Sequence, residues 1–212
     1  MDSRLETLQT DSKMGIASLS RTAGEVYTDL LELGSAFVPA LSPAGDGAAI
    51  LTEQGYAVLK GDTLAGFLEE EAAKGLELLA GRPSADVLEA ELAGNQVSAK
   101  VTSACTKSRL EFRGDAPSLL RLSCKAEARL SEDGRPLSGG ELEQLQKNLE
   151  LQERARLEAA LEQLRAMGTD CAGLGIKAAM AHPARWQAVQ ADWPEWFSRM
   201  PVEVTVQIKI NS

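Results

Sequence analysis

The sequence predicts an α+β fold of two domains, each a mainly antiparallel sheet packed with helices. Two alternating patterns and one long helix indicate this class. Residues 120–130 and 202–210 alternate apolar with polar side chains, which is typical of half-buried strands. Between them, residues 138–167 open with the Ser-x-x-Glu capping box and form a predicted helix long enough to cross the face of a small sheet.

The first predicted element is a helix over residues 22–34. Its apolar residues recur at helical spacing, and Gly34 can take the left-handed conformation that ends a helix. Pro39 and the Pro/Gly-rich residues 42–47 then predict a loop.

A three-stranded meander and a second helix are predicted next. The apolar runs 48–52 and 56–60 flank one turn signal, and a Gly-Asp turn precedes the third run, 63–68. Residues 69–80 begin with three glutamates, which complement the positive end of a helix dipole, and predict a helix.

A hairpin and a domain boundary follow. Strands are predicted over 87–92 and 96–106, with a Gly-Asn turn signal between them. Turn residues and a proline at 114–117 mark the boundary. The chain then divides into 1–116, a leading helical segment with a middle α+β domain, and 117–212, a C-terminal α+β domain.

The C-terminal domain is predicted to run strand, long helix, short helices, strand. The apolar stripe of the long helix is interrupted by the charged residues 152–156. A coiled coil needs an unbroken apolar seam, so packing of this helix on the domain's own sheet is favoured. Contact of the charged middle with a partner is the alternative.

Charge and hydropathy exclude two classes of function. The 212 residues include 22 Lys and Arg against 31 Asp and Glu, a net charge of −9, which argues against binding nucleic acid phosphates. No apolar run reaches the ~18 residues that span a bilayer. The first 30 residues hold no apolar core of a secretory signal, and this chain is expected to be soluble by itself.

Few residues suit catalysis or metal binding. The spacing of Cys105, Cys124 and Cys171 matches no zinc or redox motif; small buried thiols are favoured, and a disulfide between Cys105 and Cys124 on paired strands is the alternative. His182, the only histidine, precedes a proline and is interpreted as structural. Phosphate-binding glycine motifs are absent. We expect no cofactor, no metal and no enzymatic activity.

Three segments, in order, carry a family resemblance. They are residues 55–68 (GYAVLKGDTLAGFL), the D-x-x-G-x-G turn at 170–175, and the aromatic residues of 186–197 ahead of the terminal strand. The helix after the first segment continues the likeness at Glu71, Gly75 and Gly81. Together they resemble the Ger(x)C family, the C-subunit lipoproteins of nutrient germinant receptors. Leu59, where the family usually has Phe, and Cys171 within the turn depart from its pattern.

The resemblance implies a role and a location. It implies an intact protein held by a lipid anchor at the outer face of the spore's inner membrane, where it assembles with two integral-membrane subunits. This chain would be the second and third of three domains, and its lipid anchor would lie outside it. The family carries no known catalytic residues, so none is assigned.

Seven residues of these segments are candidates for interface or structural roles: Gly55, Lys60, Asp62, Gly66, Asp170, Trp186 and Trp193. Structurally, glycines serve turns and close contacts, Asp170 caps the next helical piece, and the tryptophans belong to the core. We expect a non-enzymatic receptor subunit that acts through protein contacts. The alternatives are a small-molecule-binding module with the tryptophan region as its floor and, last, a hydrolase that uses His182.

Overall fold

The chain folds into two sheets covered by helices. The computed structural model describes residues 21–43, 51–81, 87–92, 94–130 and 137–211. The helices within these residues are α1 (Ala23–Leu33), α2 (Glu70–Ala80), α3 (Gly139–Ala166), α4 (Leu174–Ala179), α5 (Pro183–Val189) and α6 (Trp193–Arg199). The strands are β1 (Ser35–Pro43), β2 (Leu51–Lys60), β3 (Thr63–Leu68), β4 (Val87–Leu92), β5 (Asn95–Arg113), β6 (Ala116–Leu130) and β7 (Val202–Asn211). The predicted α+β class is confirmed.

The first sheet is an antiparallel meander in the order β1-β2-β3. Its first strand is β1. Residues 51–60 form one continuous strand, so the predicted turn at residues 53–55 between two strands is wrong. Pro39 lies inside β1 opposite Tyr56, not in the predicted loop. An edge strand tolerates proline because the missing N–H can face away from the sheet. Residues 44–50, also predicted as loop and strand, lie outside the described residues.

The second sheet has the order β4-β5-β6-β7. β5 and β6 pair from Ala99 opposite Leu130 to Arg113 opposite Ala116. The boundary at 116/117 therefore falls at the tip of a hairpin, and residues 87–113 belong to the second sheet. The predicted turn at 133–134 lies outside the described residues.

The terminal strand pairs with β6 in parallel, from Leu120 opposite Val202 onward. A parallel pair needs a long crossover, and helices α3 to α6 supply it. α3 begins at the predicted capping box: Ser138 Oγ accepts from the Glu141 amide, and Glu141 Oε2 accepts from the Ser138 amide at 2.9 Å. α3 packs on α2, β4 and β7, so its predicted packing on the sheet is confirmed.

α2 and α3 touch through bare backbone. A Cβ at Gly75 would lie 2.0 Å from the carbonyl oxygen of Arg156 and 2.8 Å from Cβ of Ala160. No side chain fits between the helices there. The absence of a side chain at Gly75 thus sets how closely the two helices approach.

The charged interruption of α3 faces inward at this crossing. Glu153 and Arg156 are 2% and 7% exposed. Arg156 donates to Glu153 at 2.8 Å and to Glu71 of α2. Buried charges are tolerated only when they are paired. The charged residues that interrupt the apolar stripe of α3 therefore form ion pairs that include α2 of the same chain.

One apolar core joins the two sheets. It receives side chains from β2, from β5 and β6, from α2 and α3 and from α6, including Tyr56, Val58, Leu76, Leu110, Leu120, Leu122, Leu157, Leu164 and Phe197. A smaller cluster under the first half of α3 contains Leu88, Ala99, Val101, Ala128, Leu145, Leu149 and Ile208. Because the larger core spans both sheets, the sheets are held as one packed unit.

The cysteines are free thiols, so the disulfide alternative does not apply. Cys105 lies opposite Lys125, and its neighbour Thr106 lies opposite Cys124. Adjacent positions on a strand face opposite sides, which separates the two sulfurs. Cys124 and Cys171 are buried as predicted, and burial raises the pKa of both thiols; Cys105 is exposed, contrary to prediction.

We expect Gly75→Ala to lower the free energy of unfolding by about 1–3 kcal/mol, because the added methyl group overpacks the crossing of α2 and α3. Gly140→Ala is the matched control: it lies in the first turn of α3 with nothing within 4 Å of its added Cβ. Urea unfolding measures both variants. Equal stability of the two would show that the bare-backbone contact does not limit packing.

Candidate functional site

A cleft of about 440 Å³ gathers four of the seven candidate residues. One wall is the junction of α1 and β1 together with the end of β2. The other is the turn after α3 together with the tryptophan segment. The candidates in its lining are Lys60, Asp170, Trp186 and Trp193.

The first wall is built by strand register. Ser35, the first residue of β1, lies opposite Lys60, the last residue of β2. The Gly61 amide donates to the Gly34 carbonyl at 2.9 Å and fixes the two ends together. The Lys60 ammonium then reaches Gly168, where a Cβ would lie 3.3 Å from Nζ. This is the C-terminal end of α3, where the helix dipole favours a cation.

The second wall is organised by the buried carboxylate of Asp170, which is 8% exposed. Oδ1 accepts from the Leu174 amide at 2.9 Å. Oδ2 accepts from the Gly175 amide at 2.7 Å and from Trp193 Nε1 at 2.9 Å. Asp170 therefore holds the start of α4 and the indole of α6 in one place, in keeping with the capping role expected of it.

Burial raises the pKa of the Asp170 carboxyl, while the amides of Gly175 and Leu174, the Trp193 indole and the charge of Lys177 act to lower it. Desolvation is the largest of these effects, because burial disfavours the charged form of the carboxyl group. The protonated form of Asp170 is favoured in the folded state over the unfolded one.

Gly175 lies in close contact with two tryptophan rings. The rings of Trp186 and Trp193 meet edge to face with centroids 5.2 Å apart. A Cβ at Gly175 would lie 2.4 Å from Cε2 of Trp193 and 2.7 Å from Cη2 of Trp186. Trp193 is buried at 7% exposure and belongs to the core, whereas Trp186 is only partly buried and borders the cleft.

The other three candidates lie elsewhere. Gly55 has φ +107°, and a Cβ there would lie 2.1 Å from the Leu68 carbonyl oxygen, so it serves the backbone of the first sheet. Gly66 packs on Met167, whose Cε would lie 2.8 Å from an added Cβ. Asp62 is exposed in the turn between β2 and β3.

Two cleft residues had no signal in the sequence. Ser35 and Thr169 are 2% and 1% exposed, and their hydroxyls have no hydrogen-bond partner in the described part of the chain. Single hydroxyl residues carry no pattern, so only the fold could bring them together. His182 packs edge-on against Phe112 with centroids 5.9 Å apart, as a structural histidine would.

The chain matches a known protein family. The family of spore germination B3/GerAC-like proteins, C-terminal, matches residues 54–212. The chain belongs to this family. The resemblance predicted from three segments is thereby confirmed, and the chain is placed among spore-germination proteins. All seven candidates lie inside the match, whereas the α1–β1 wall of the cleft precedes it.

A solved structure has a similar fold. The crystal structure of the GerBC protein is similar with a TM-score of 0.78 and 20% identity, over 91% of this chain and 61% of that one. This likeness shows the fold, and the chain spans 61% of the length of that protein. No curated protein matches the chain. No helix of the described ranges is long and apolar enough to cross a membrane.

We expect the stability difference between wild type and Asp170→Asn to shift with pH in favour of the variant as pH rises. A carboxyl with a raised folded-state pKa stabilises fully below its unfolded value of about 3.9, and that contribution is lost as pH rises through the folded value. The shift should be about 1.4 kcal/mol for each unit by which the pKa is raised.

Urea unfolding of both proteins at several pH values above about 4, the ordinary Asp value, measures this difference. Gln207→Ala, an exposed and non-titrating change on β7, controls for effects of mutation alone. The opposite result would be a wild type whose free energy of unfolding rises relative to that of Asp170→Asn as the pH rises. It would show that the N–H donors stabilise the carboxylate more than burial destabilises it.

Proposed function

We propose that this chain is the part of a germinant-receptor C-subunit that contacts two integral-membrane subunits during spore germination and catalyses no reaction. The family match over residues 54–212 carries the proposal. The likeness in fold to the GerBC protein over 91% of this chain supports it.

The side chains best suited to chemistry have structural partners, which also supports a contact role. The ring of His182 packs on Phe112, and the guanidinium of Arg185 lies 5.4 Å from the centroid of the same ring. Asp170 is held by three N–H donors. The thiol of Cys171 is buried, which raises its pKa and keeps it protonated and unreactive.

The location we propose is the outer face of the spore's inner membrane, reached through a lipid anchor. A net charge of −9 gives the domains no electrostatic attraction to anionic lipid. A lipid anchor would therefore have to hold the protein at the membrane.

The contact surface we propose is the β2–β3 hairpin, which carries the candidates Lys60, Asp62 and Gly66. β3 ends the order of the first sheet, and its outer edge pairs with no strand of the described ranges. Leu64 and Phe67 on β3 are 54% and 45% exposed. An edge strand with exposed apolar side chains offers both backbone groups and apolar area to a partner.

We expect the double variant Leu64→Ser, Phe67→Ser in the full-length protein to recover about tenfold less of the two membrane subunits on co-purification, because central apolar contacts dominate interface energy. Spores carrying it should respond more slowly to nutrients. Leu151→Ser, a 65% exposed apolar residue on α3, is the matched control.

Undiminished recovery with the hairpin variant would remove β3 from the interface. A normal nutrient response in a strain that lacks the protein would overturn the receptor role as a whole. Thermal unfolding of both variants shows whether any loss reflects misfolding.

A small-molecule-binding module is the alternative, and the cleft favours it. The position of Trp186 and Trp193 at the border of the cleft supports it. Saturable change in tryptophan fluorescence with a small nutrient would support it.

A further inference from the structure

The cleft contains a cation, the Lys60 ammonium, that forms an ion pair with none of the described carboxylates. Lys60 is the only basic residue among the described residues that line the cleft. Its side chain forms no ion pair with any described residue. Its ammonium lies beside Gly168, where a Cβ would be 3.3 Å from Nζ, and both residues line the cleft. An ammonium donates up to three hydrogen bonds, so Lys60 can bind an anionic group.

Two residues of the same lining have buried hydroxyls without a partner in the described chain. Ser35 and Thr169 both line the cleft, and neither hydroxyl has a hydrogen-bond partner in the described chain. Buried polar groups nearly always have partners, so two unpartnered hydroxyls in one cleft are unusual. Ser35 pairs in register with Lys60, so the two residues lie side by side at this end of the sheet.

The lining also has an apolar side. Trp186, Trp193, Ile176 and Pro194 contribute to it. A volume of about 440 Å³ falls within the ~300–1,000 Å³ of ligand pockets, which pair apolar walls with a few polar groups. The cleft thus offers a cationic corner and an aromatic wall.

Two acidic residues line the cleft as well. Asp170 directs its oxygens to Leu174, Gly175 and Trp193 and so has its acceptors engaged. Glu32 is exposed near the end of α1 and forms no ion pair with Lys60. Glu32 therefore lowers the affinity for an anion without neutralising the lysine.

We propose that this cleft binds a carboxylate with an adjoining apolar group, the carboxylate on Lys60 and the apolar group against Trp186 and Trp193. A small organic acid and the C-terminal carboxylate of a peptide share this chemistry. Lys60 belongs to both the β2–β3 hairpin and the cleft, but the two proposals are tested through different residues: Leu64 and Phe67 for the contact surface, and Lys60 and Thr169 for the cleft.

The test uses the full chain with paired probes. Phenylacetate is compared with phenylacetamide, and an acetylated Ala-Phe peptide with a free C-terminus is compared with its amide, by tryptophan fluorescence and calorimetry. We expect the acids to bind saturably and the amides to bind about tenfold more weakly or not at all, because a charged hydrogen bond is lost. Whichever acid binds more tightly identifies the source.

Four variants test the residues. Lys60→Met should weaken acid binding about tenfold, and Lys60→Arg should restore most of it, because a guanidinium also binds carboxylates. Lys209→Met, an exposed lysine on β7 away from the lining, is the matched control and should bind like wild type. Glu32→Gln should bind the acids as well as wild type or better.

Thr169→Val separates a ligand role from a structural one. Because the hydroxyl has no partner, its replacement by a methyl group of the same shape should leave unfolding stability equal or higher. Acid binding should weaken in the same variant. Lower stability with unchanged binding would assign the hydroxyl to the fold.

The proposal is overturned if the amides bind as tightly as the acids, if Lys60→Met binds like wild type, or if Glu32→Gln abolishes binding, which would indicate a cationic ligand. It is also overturned if no acid binds at millimolar concentration. None of these results depends on co-purification with membrane subunits, so this proposal and the receptor role fail separately.

Discussion

The contact of α2 with the backbone of α3 at Gly75 is the constraint on which the rest of the structure depends. α2 follows the first sheet and α3 lies on the second, so their crossing joins the two sheets into one core. Only glycine allows this approach, because a Cβ would lie 2.0 Å from the Arg156 carbonyl. The same approach encloses Arg156, which is paired with Glu71 and Glu153. Glycine and charges act together here, since a buried arginine is tolerable only with its partners.

The far end of α3 decides the shape of the cleft. Once the helix is fixed at its crossing, its last turn leads into Gly168 and places Asp170 inside the protein. The Asp170 carboxylate then holds the start of α4 and the indole of Trp193. Lys60 approaches from the other side because the β1–β2 register ends beside Ser35. A charged cleft thus arises where a helix end, a sheet edge and an aromatic segment meet.

The family motifs divide by exposure into two kinds of residue. Gly55, Gly66, Asp170 and Trp193 make close contacts or buried hydrogen bonds, and their identity is explained by the fold. Lys60 and Asp62 are exposed, and the fold does not require their charge for packing. We therefore expect residues that contact a ligand or partner at the exposed positions rather than at the buried ones. Both proposed sites follow this division: the β2–β3 hairpin offers a surface to a partner, and Lys60 faces the cleft.

Local patterns by themselves determined the helices, most strands, the α+β class and the family. The capping box at Ser138, the left-handed Gly34 and the alternation in β6 and β7 depend on neighbours within a few residues, so a sequence displays them. Only the tertiary structure decided that β7 pairs with β6 in parallel, that the 116/117 boundary is a hairpin tip, and that Pro39 lies in a strand. It also decided that Glu71 meets Arg156 and that Lys60, Ser35 and Thr169 share a cleft. These pairings join residues far apart in the chain, and their energy comes from burial and charge pairing that no local pattern displays.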